Sequence, residues 1–334
     1  MWHVGIDLHR QFIVMAAVRD NGEVMEPVKI SCQDTSTIVD VIRSLVPFRA
    51  VIEASGTYRW LYDLLHPHGT VLLAHPLYLR AMVQRRSKTD KLDAQLLANL
   101  LRINQIPLAY VPPEPYQRLR DLTRCRAKLA QDRAETKIKL RDLLARKNLV
   151  SSYKTPFGPR GLAWFRGQDF GPIENLVRDE LLARMDHYTR QIKIFDEQLA
   201  QCRSEFPQTD ALVGLYGIGP YSALLIVAEL GEVDRFRSAK QVGAYAGLTS
   251  RVHQSGGHCY RGSITRQGSP WLRWILIEAA LKTVRKDVAL KNFYNRIRKR
   301  SGAKIARVAA ARKLAEICWK RLRRWEYEHA EKAA

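Results

Sequence analysis

Four carboxylates in the first hundred residues have the types and the placement that phosphodiester chemistry needs. Asp7 stands in GIDLH, Glu53 closes the run RAVIEA, and Asp90 and Asp93 stand three apart in SKTDKLDAQLLANLL. Asp7 and Glu53 interrupt apolar runs, where an unpaired carboxylate is costly to bury. Asp90 and Asp93 at i,i+3 share one helix face. Two strand carboxylates and a helical pair can surround hard divalent cations, with Mg²⁺ the usual choice and Mn²⁺ a substitute. Arg85, Arg86 and Lys88 flank the helical pair, as suits an acidic site that faces a phosphate backbone. Taken singly, a strand-end Glu is often solvated, and Asp90 could merely cap its helix.

A second stretch, HQSGGHCYRGSITRQG at residues 253–268, sets Ser255 against two glycines inside a run of His, Arg and Tyr. A serine hydroxyl there could attack a phosphate if activated, or could rest on a phosphate as a contact. The residues alone leave both open. Arg251, Arg261, Arg266 and Arg273 surround the serine and suit DNA phosphates. Upstream, Leu215-Tyr216-Gly217-Ile218-Gly219 followed by Ala223 and Ile226 fits the helix-hairpin-helix pattern. Gly217 and Gly219 there permit a tight turn whose amides can meet a phosphate.

The elements that must position these groups follow from periodicity. HVGIDL, FIVMAAV and EVMEPVKI are β-rich runs, the second and third joined by a hairpin at Asn21-Gly22. A helix over 35–46, a buried-type strand at 49–54, a helix ending near Pro67 and the strand TVLLAH complete the pattern. Three strands, helix, strand, helix, strand predicts an α/β domain with a mixed sheet, an order shared with ribonuclease-H-like nucleases. Residues 116–147 and 178–206 then predict two long charged helices separated by a loop of Gly, Pro and aromatics. The second carries a seam of Leu181, Met185, Tyr188, Ile192, Phe195, Leu199, Cys202 and Phe206. The first places Arg126 and Arg133 on its seam, which implies counter-charge on the partner or an imperfect register. A hairpin within the chain and a contact between copies fit equally. The expected division is 1–111, an α/β metal domain; 112–207, a coiled-coil region; and 208–334, a mainly α domain with a helix from Pro270 to about Val284 and basic helices from Val288 to Glu328.

Charge bounds the partners. The chain has 334 residues and 55 Lys and Arg against 33 Asp and Glu, a formal +22, which predicts a polyanion such as DNA or RNA. The excess is uneven: residues 1–79 hold 6 basic and 8 acidic residues, and residues 285–324 hold 15 and 2. Arg296 to Arg300 and Lys320 to Arg324, interleaved with Tyr294, Trp319 and Trp325, suit nucleic-acid backbone and stacked bases. Five scattered cysteines without metal-ligand spacing read as free thiols. Neither a leader pattern nor an apolar stretch long enough to cross a bilayer is expected, so the location implied is cytoplasmic.

GIDLH, VIEASGTYRW, SKTDKLDAQLLA, GIGPYSALLIVAELG and SGGHCYRGSITRQGSPWLR, in this order, resemble the DEDD-type insertion-sequence transposases related to the Piv DNA invertases, the insertion-sequence one-hundred-ten family. The likeness spans about residues 2 to 320. It implies a RuvC-like domain, a coiled coil and a C-terminal transposase domain, with Asp7, Glu53, Asp90 and Asp93 as the acidic set and Ser255 as the nucleophile. It further implies a recombinase guided by a bridge RNA that pairs with donor and target DNA. The acidic site of one subunit is expected to join the serine of another in a dimer or tetramer, in a bacterial or archaeal, nucleoid-associated setting. Where family members usually carry a basic residue after the two glycines, His258 stands here. The alternatives are a RuvC-like nuclease that uses metal-activated water, and a non-catalytic nucleic-acid binder with a degenerate ribonuclease-H fold.

Overall fold

Residues 1–82, 89–255 and 258–333 are described by a computed structural model; of His253, Ser255, Arg261 and residues 331–333 only the backbone is described. Arg85, Arg86 and Lys88 lie outside the described residues. The chain forms two compact units, 1–111 and 112–334.

The first unit is built on alternation. Strands β1 (Trp2–Leu8), β2 (Phe12–Arg19) and β3 (Val24–Ser31) form an antiparallel meander, and β4 (Phe48–Glu53) and β5 (Thr70–Ala74) run parallel to β1 on its other side. The two-residue β6 (Leu108–Ala109) closes the order β3-β2-β1-β4-β5-β6. Pro27 is tolerated because β3 is an edge strand. One face of the sheet, with Val4, Ile6, Ile13, Met15, Ala50 and Ile52, packs with α1 (Thr35–Ser44) and α2 (Arg59–Leu65). The other, with Val14, Ala16 and Val51, receives α3 (Pro76–Met82) and α4 (Asp90–Arg102). This is the mixed α/β sheet expected from the sequence; α3 and β6 are additions too short to leave a periodic signature.

In the second unit, α5 (Glu114–Arg146) and α7 (Pro172–Cys202) pair as an antiparallel hairpin within the chain. The expected seam of α7 faces inward, with Leu181, Met185, Ile192 and Leu199 buried. The two seam arginines are explained by polar partners on α7. Arg126 makes a bidentate pair with Asp196, 2.8 and 3.1 Å, and Arg133 reaches the Thr189 hydroxyl at 3.5 Å. The segment expected as a plain loop contains α6 (Pro159–Arg166), whose Phe165 joins Phe170, Leu140, Leu144 and Leu182 in a local core at the hairpin's end.

The main core of this unit gathers α8 (Asp210–Val213), α9 (Pro220–Leu230), α10 (Ala239–Tyr245), α11 (Pro270–Thr283) and α12 (Val288–Ala333) around the apolar α9. Glu229, which breaks the apolar run of α9, is 1% exposed and receives both arms of Arg124 at 2.7 and 2.9 Å. Arg120 donates to the carbonyls of Ala228 and Glu229. These bonds tie the root of α5 to α9. At Gly302 the chain leaves helical geometry, with φ 85°, so α12 is two basic helices meeting at a kink. Trp319 is half-buried and donates its indole N–H to the Val233 carbonyl, which makes it a packing residue rather than a base-stacking one. No described helix is long and apolar enough to cross a membrane.

Between α10 and α11 the stretch carrying Ser255 takes extended structure. β7 (Ser250–Ser255) and β8 (His258–Ile264) pair as an antiparallel ribbon. Polar and glycine-rich, it has no apolar alternation to announce it. Its register, not a core, defines its faces.

Candidate functional site

Asp7 and Asp90 meet about His9 and Asp93 acts on Asp7 electrostatically, while Glu53 is set beside Asp7 by strand register. Asp7 and Glu53 each follow the last paired residues of the parallel strands, Ile6 and Ile52, so they stand side by side at the C-terminal edge of the sheet. Parallel strands in register aim equivalent side chains to the same face. That face is the one carrying Gly5, which the side-chain period of two places below Asp7.

Gly5 then decides where α4 sits. A Cβ at this position would lie 2.8 Å from Leu97 Cβ, and closer still to the Ala94 carbonyl oxygen and the Ala98 nitrogen. Only a glycine lets the helix rest on the central strand, with Ala94, Leu97, Ala98 and Leu101 buried beneath it. Its first turn carries Asp90 and Asp93. Thr89 is the cap: its side chain accepts from the Leu92 amide at 3.3 Å. Asp90 is thereby relieved of the capping role that the sequence left open to it. The positive end of the helix dipole also favours two carboxylates in this turn.

His9, the last residue of GIDLH, was not among the residues singled out from sequence, and it joins the cluster. Its Nε2 lies 3.0 Å from Asp7 Oδ2 and 3.2 Å from Asp90 Oδ1. Asp7, His9 and Asp90 each offer an atom within 4.8 Å of the others, a grouping able to hold a metal ion. The spacing Asp-x-His at a strand end was the available signal. The Asp7 carboxyl is pushed above the ordinary carboxylate range, first by burial, opposed by the charge and hydrogen bond of His9 and reinforced by Asp93 and Asp90. Crowded carboxylates of this kind, partly desolvated, suit a divalent cation as counter-charge. The oxygen-rich donor set and a nitrogen already seated between two of its members fit such an ion.

In the second unit, the helix-hairpin-helix glycines play different parts. Gly217 has φ 92° and packs against α11, where a Cβ would meet Lys282 Cβ at 2.8 Å and the Ala279 carbonyl oxygen at 2.9 Å. The Thr283 hydroxyl holds the same turn by donating to the Tyr216 carbonyl at 2.7 Å. Gly219, with an ordinary φ of −89°, is the N-cap of α9 and looks into open space, leaving room for an anion at the helix start.

Ser255 is the last residue of β7 and pairs across the ribbon with His258; His253 pairs with Tyr260. Ladder partners share a face, so these four positions lie on one side of the ribbon and Gln254 and Cys259 on the other. His258, Tyr260 and Arg251 are exposed. Arg273 has a supporting position: it donates to the carbonyls of Ala246 and Arg266 at 3.2 and 3.3 Å, fastening the base of the ribbon to α11. Arg266 itself takes a left-handed conformation, φ 55°.

Comparison with known proteins matches two stretches of the chain. Residues 4–148 match a family of transposases named for their DEDD acids, and residues 210–295 match the transposase IS116/IS110/IS902 family. The chain is 27% identical to a probable family 20 transposase of Pseudomonas aeruginosa, covering 96% of each. It is 23% identical to the transposase for insertion sequence element IS1111A of Coxiella burnetii, over 97% of this chain and 90% of the relative. It is also 26% identical to the pilin gene-inverting protein of Moraxella bovis, over 80% and 78%.

Proposed function

The chain belongs to the IS116/IS110/IS902 family of transposases and is a DNA transposase/recombinase; from that premise we propose that it is an RNA-guided recombinase. In this reading it cuts and rejoins insertion-sequence DNA through Ser255 and a cation, Mg²⁺ or Mn²⁺, held by Asp7, Glu53, Asp90 and Asp93. The observation that carries the reading is the meeting of Asp7 and Asp90 about one imidazole nitrogen, with Glu53 in register on the neighbouring strand. When bound, the cation polarises the scissile phosphate and stabilises charge developing on its oxygens.

The chain's own residues do the rest. The Ser255 hydroxyl attacks the phosphorus and loses its proton to a base such as His253 or His258. The DNA oxygen that leaves takes a proton in turn. One phosphodiester bond breaks as one phosphoserine ester forms, so a DNA hydroxyl can later displace serine without an external energy source. The glycines that follow Ser255 let backbone approach the strand. Guide RNA and DNA both suit the basic excess of the chain; Arg85, Arg86, Lys88, Arg251, Arg261 and Arg266 are candidate phosphate contacts, and Gly217 and Gly219 set the α9 turn for another. Arg273 would act there by holding the ribbon. A dimer or tetramer is part of the proposal, as is sequence choice by base pairing rather than by side chains.

Ser255→Ala tests the chemistry. End-labelled insertion-sequence DNA is resolved on denaturing gels with the wild type and the variant. A protein–DNA adduct in the wild type, lost with all cleavage in Ser255→Ala, is the expected result. Cut ends free of protein in the variant would favour metal-activated water. Sequencing the nucleic acid that co-purifies tests guidance: one discrete structured RNA supports it, and heterogeneous fragments refute it.

A further inference from the structure

Asp7 and Asp90 are separated by an imidazole whose position the fold imposes. The His9 amide donates to the Phe12 carbonyl at 3.0 Å, closing the short connection between β1 and β2. The His9 carbonyl accepts from Cys32 Sγ at 3.5 Å, and the ring lies 4.7 Å from that of Phe12. Lys29 Nζ caps the Phe12 ring at 3.5 Å. Backbone and ring contacts together therefore direct Nε2 to the point where Asp7 Oδ2 and Asp90 Oδ1 approach each other.

The three atoms lie within 4.8 Å of one another, close enough to share one cation. We infer that His9 is a nitrogen ligand of the divalent ion at this site, alongside the four carboxylates; the inference rests on the metal reading above. A neutral imidazole with its proton on Nδ1 presents the Nε2 lone pair toward Asp7 Oδ2 and Asp90 Oδ1. In that tautomer the ring would hold a cation through Nε2 with no net change in its proton count. The consequence is selectivity. Mg²⁺ prefers oxygen ligands and retains its waters, whereas imidazole nitrogen suits first-row transition ions. With His9 as a ligand, Mn²⁺ is favoured over Mg²⁺ more strongly than an all-oxygen site would favour it.

Spin-echo EPR of the full chain loaded with Mn²⁺ reads the bond directly, because a coordinated imidazole ¹⁴N modulates the echo. The modulation is expected in the wild type and absent in His9→Ala. Competition titrations are expected to show the ratio of Mn²⁺ to Mg²⁺ affinity falling roughly tenfold in His9→Ala and His9→Gln, on the scale of losing one well-placed metal-site partner. If Mn²⁺ binds the wild type and not Asp7→Asn, yet no ¹⁴N modulation is seen, the His9 assignment is overturned and the metal site stands. If both affinities fall alike and the ratio is unchanged, His9 only orients the carboxylates, and the ligand role is refuted. If Asp7→Asn leaves Mn²⁺ binding intact, the metal reading itself fails.

Discussion

Replacing Gly5 with alanine isolates the contact that brings α4 to the acidic edge. The added Cβ would stand 2.8 Å from Leu97 Cβ and nearer to two backbone atoms of α4, where ordinary contact begins at 3.4 Å. The helix must therefore lift by more than half an ångström at Leu97 and by more than about 1 Å at Ala94. No side chain can yield instead, because the closest atoms are backbone. Lifting opens the buried seam of Ala94, Leu97, Ala98 and Leu101, and overpacking of this kind costs about 1–3 kcal/mol. It also carries Asp90 and Asp93 away from Asp7 and Glu53 on the sheet. Misplacement by about 1 Å costs roughly 10²-fold in rate where reacting groups must be aligned. Urea unfolding, calorimetric Mn²⁺ titration and cleavage of labelled DNA measure the three effects together. Gly167→Ala, whose Cβ meets no atom nearer than 3.5 Å, serves as the neutral control. Wild-type stability and wild-type Mn²⁺ affinity in Gly5→Ala would refute the reasoning.

Burial raises the Asp7 carboxyl pKa. A raised folded-state value contributes stability below the unfolded pKa and loses it as pH rises through the folded one. Ionised Asp7 therefore weakens the metal-free fold at neutral pH, and Asp7→Asn is expected to raise the Tm measured in chelator while abolishing the rise that Mn²⁺ confers; a lower Tm in chelator would contradict this. Glu229→Gln leaves the Arg124 guanidinium without its buried counter-charge, so a loss of about 3 kcal/mol is expected in urea unfolding, and a change below about 1 kcal/mol would remove the pair from the account of how α5 joins α9. A double-mutant cycle on Arg126→Ala and Asp196→Ala is expected to return a coupling of about 0.5–1 kcal/mol, diminished by salt; zero coupling would leave the hairpin interface to its apolar residues alone.

β-rich apolar runs and helical periodicity, which are local properties, were enough to read the first five strands, the seam of α7 and the position of Asp7, Glu53, Asp90 and Asp93 at element ends. A carboxylate that interrupts an apolar run is visible in one dimension because its burial has no other explanation. The composition likewise announced a polyanionic partner without any structure. A common site for the four acids was an inference from type; the parts that bring Asp7 and Asp90 together about His9 were not visible. Gly5 reads as an ordinary strand glycine until α4 is found lying on it, ninety residues later in the chain. His9 reads as a polar residue at a strand end until Asp90 is brought to its other side. Whether Arg126 faced this chain or a second copy was undecidable from its own heptad, since the same seam serves both; only Asp196 on α7 resolves it. The ribbon carrying Ser255 was hidden for the opposite reason, having no core to impose alternation. What the sequence determined by itself was which segments could bury one face and which charges were out of place. Which faces meet, which backbone approaches which, and which nitrogen stands between two carboxylates were decided by tertiary structure, because close packing couples residues whose separation along the chain carries no signal.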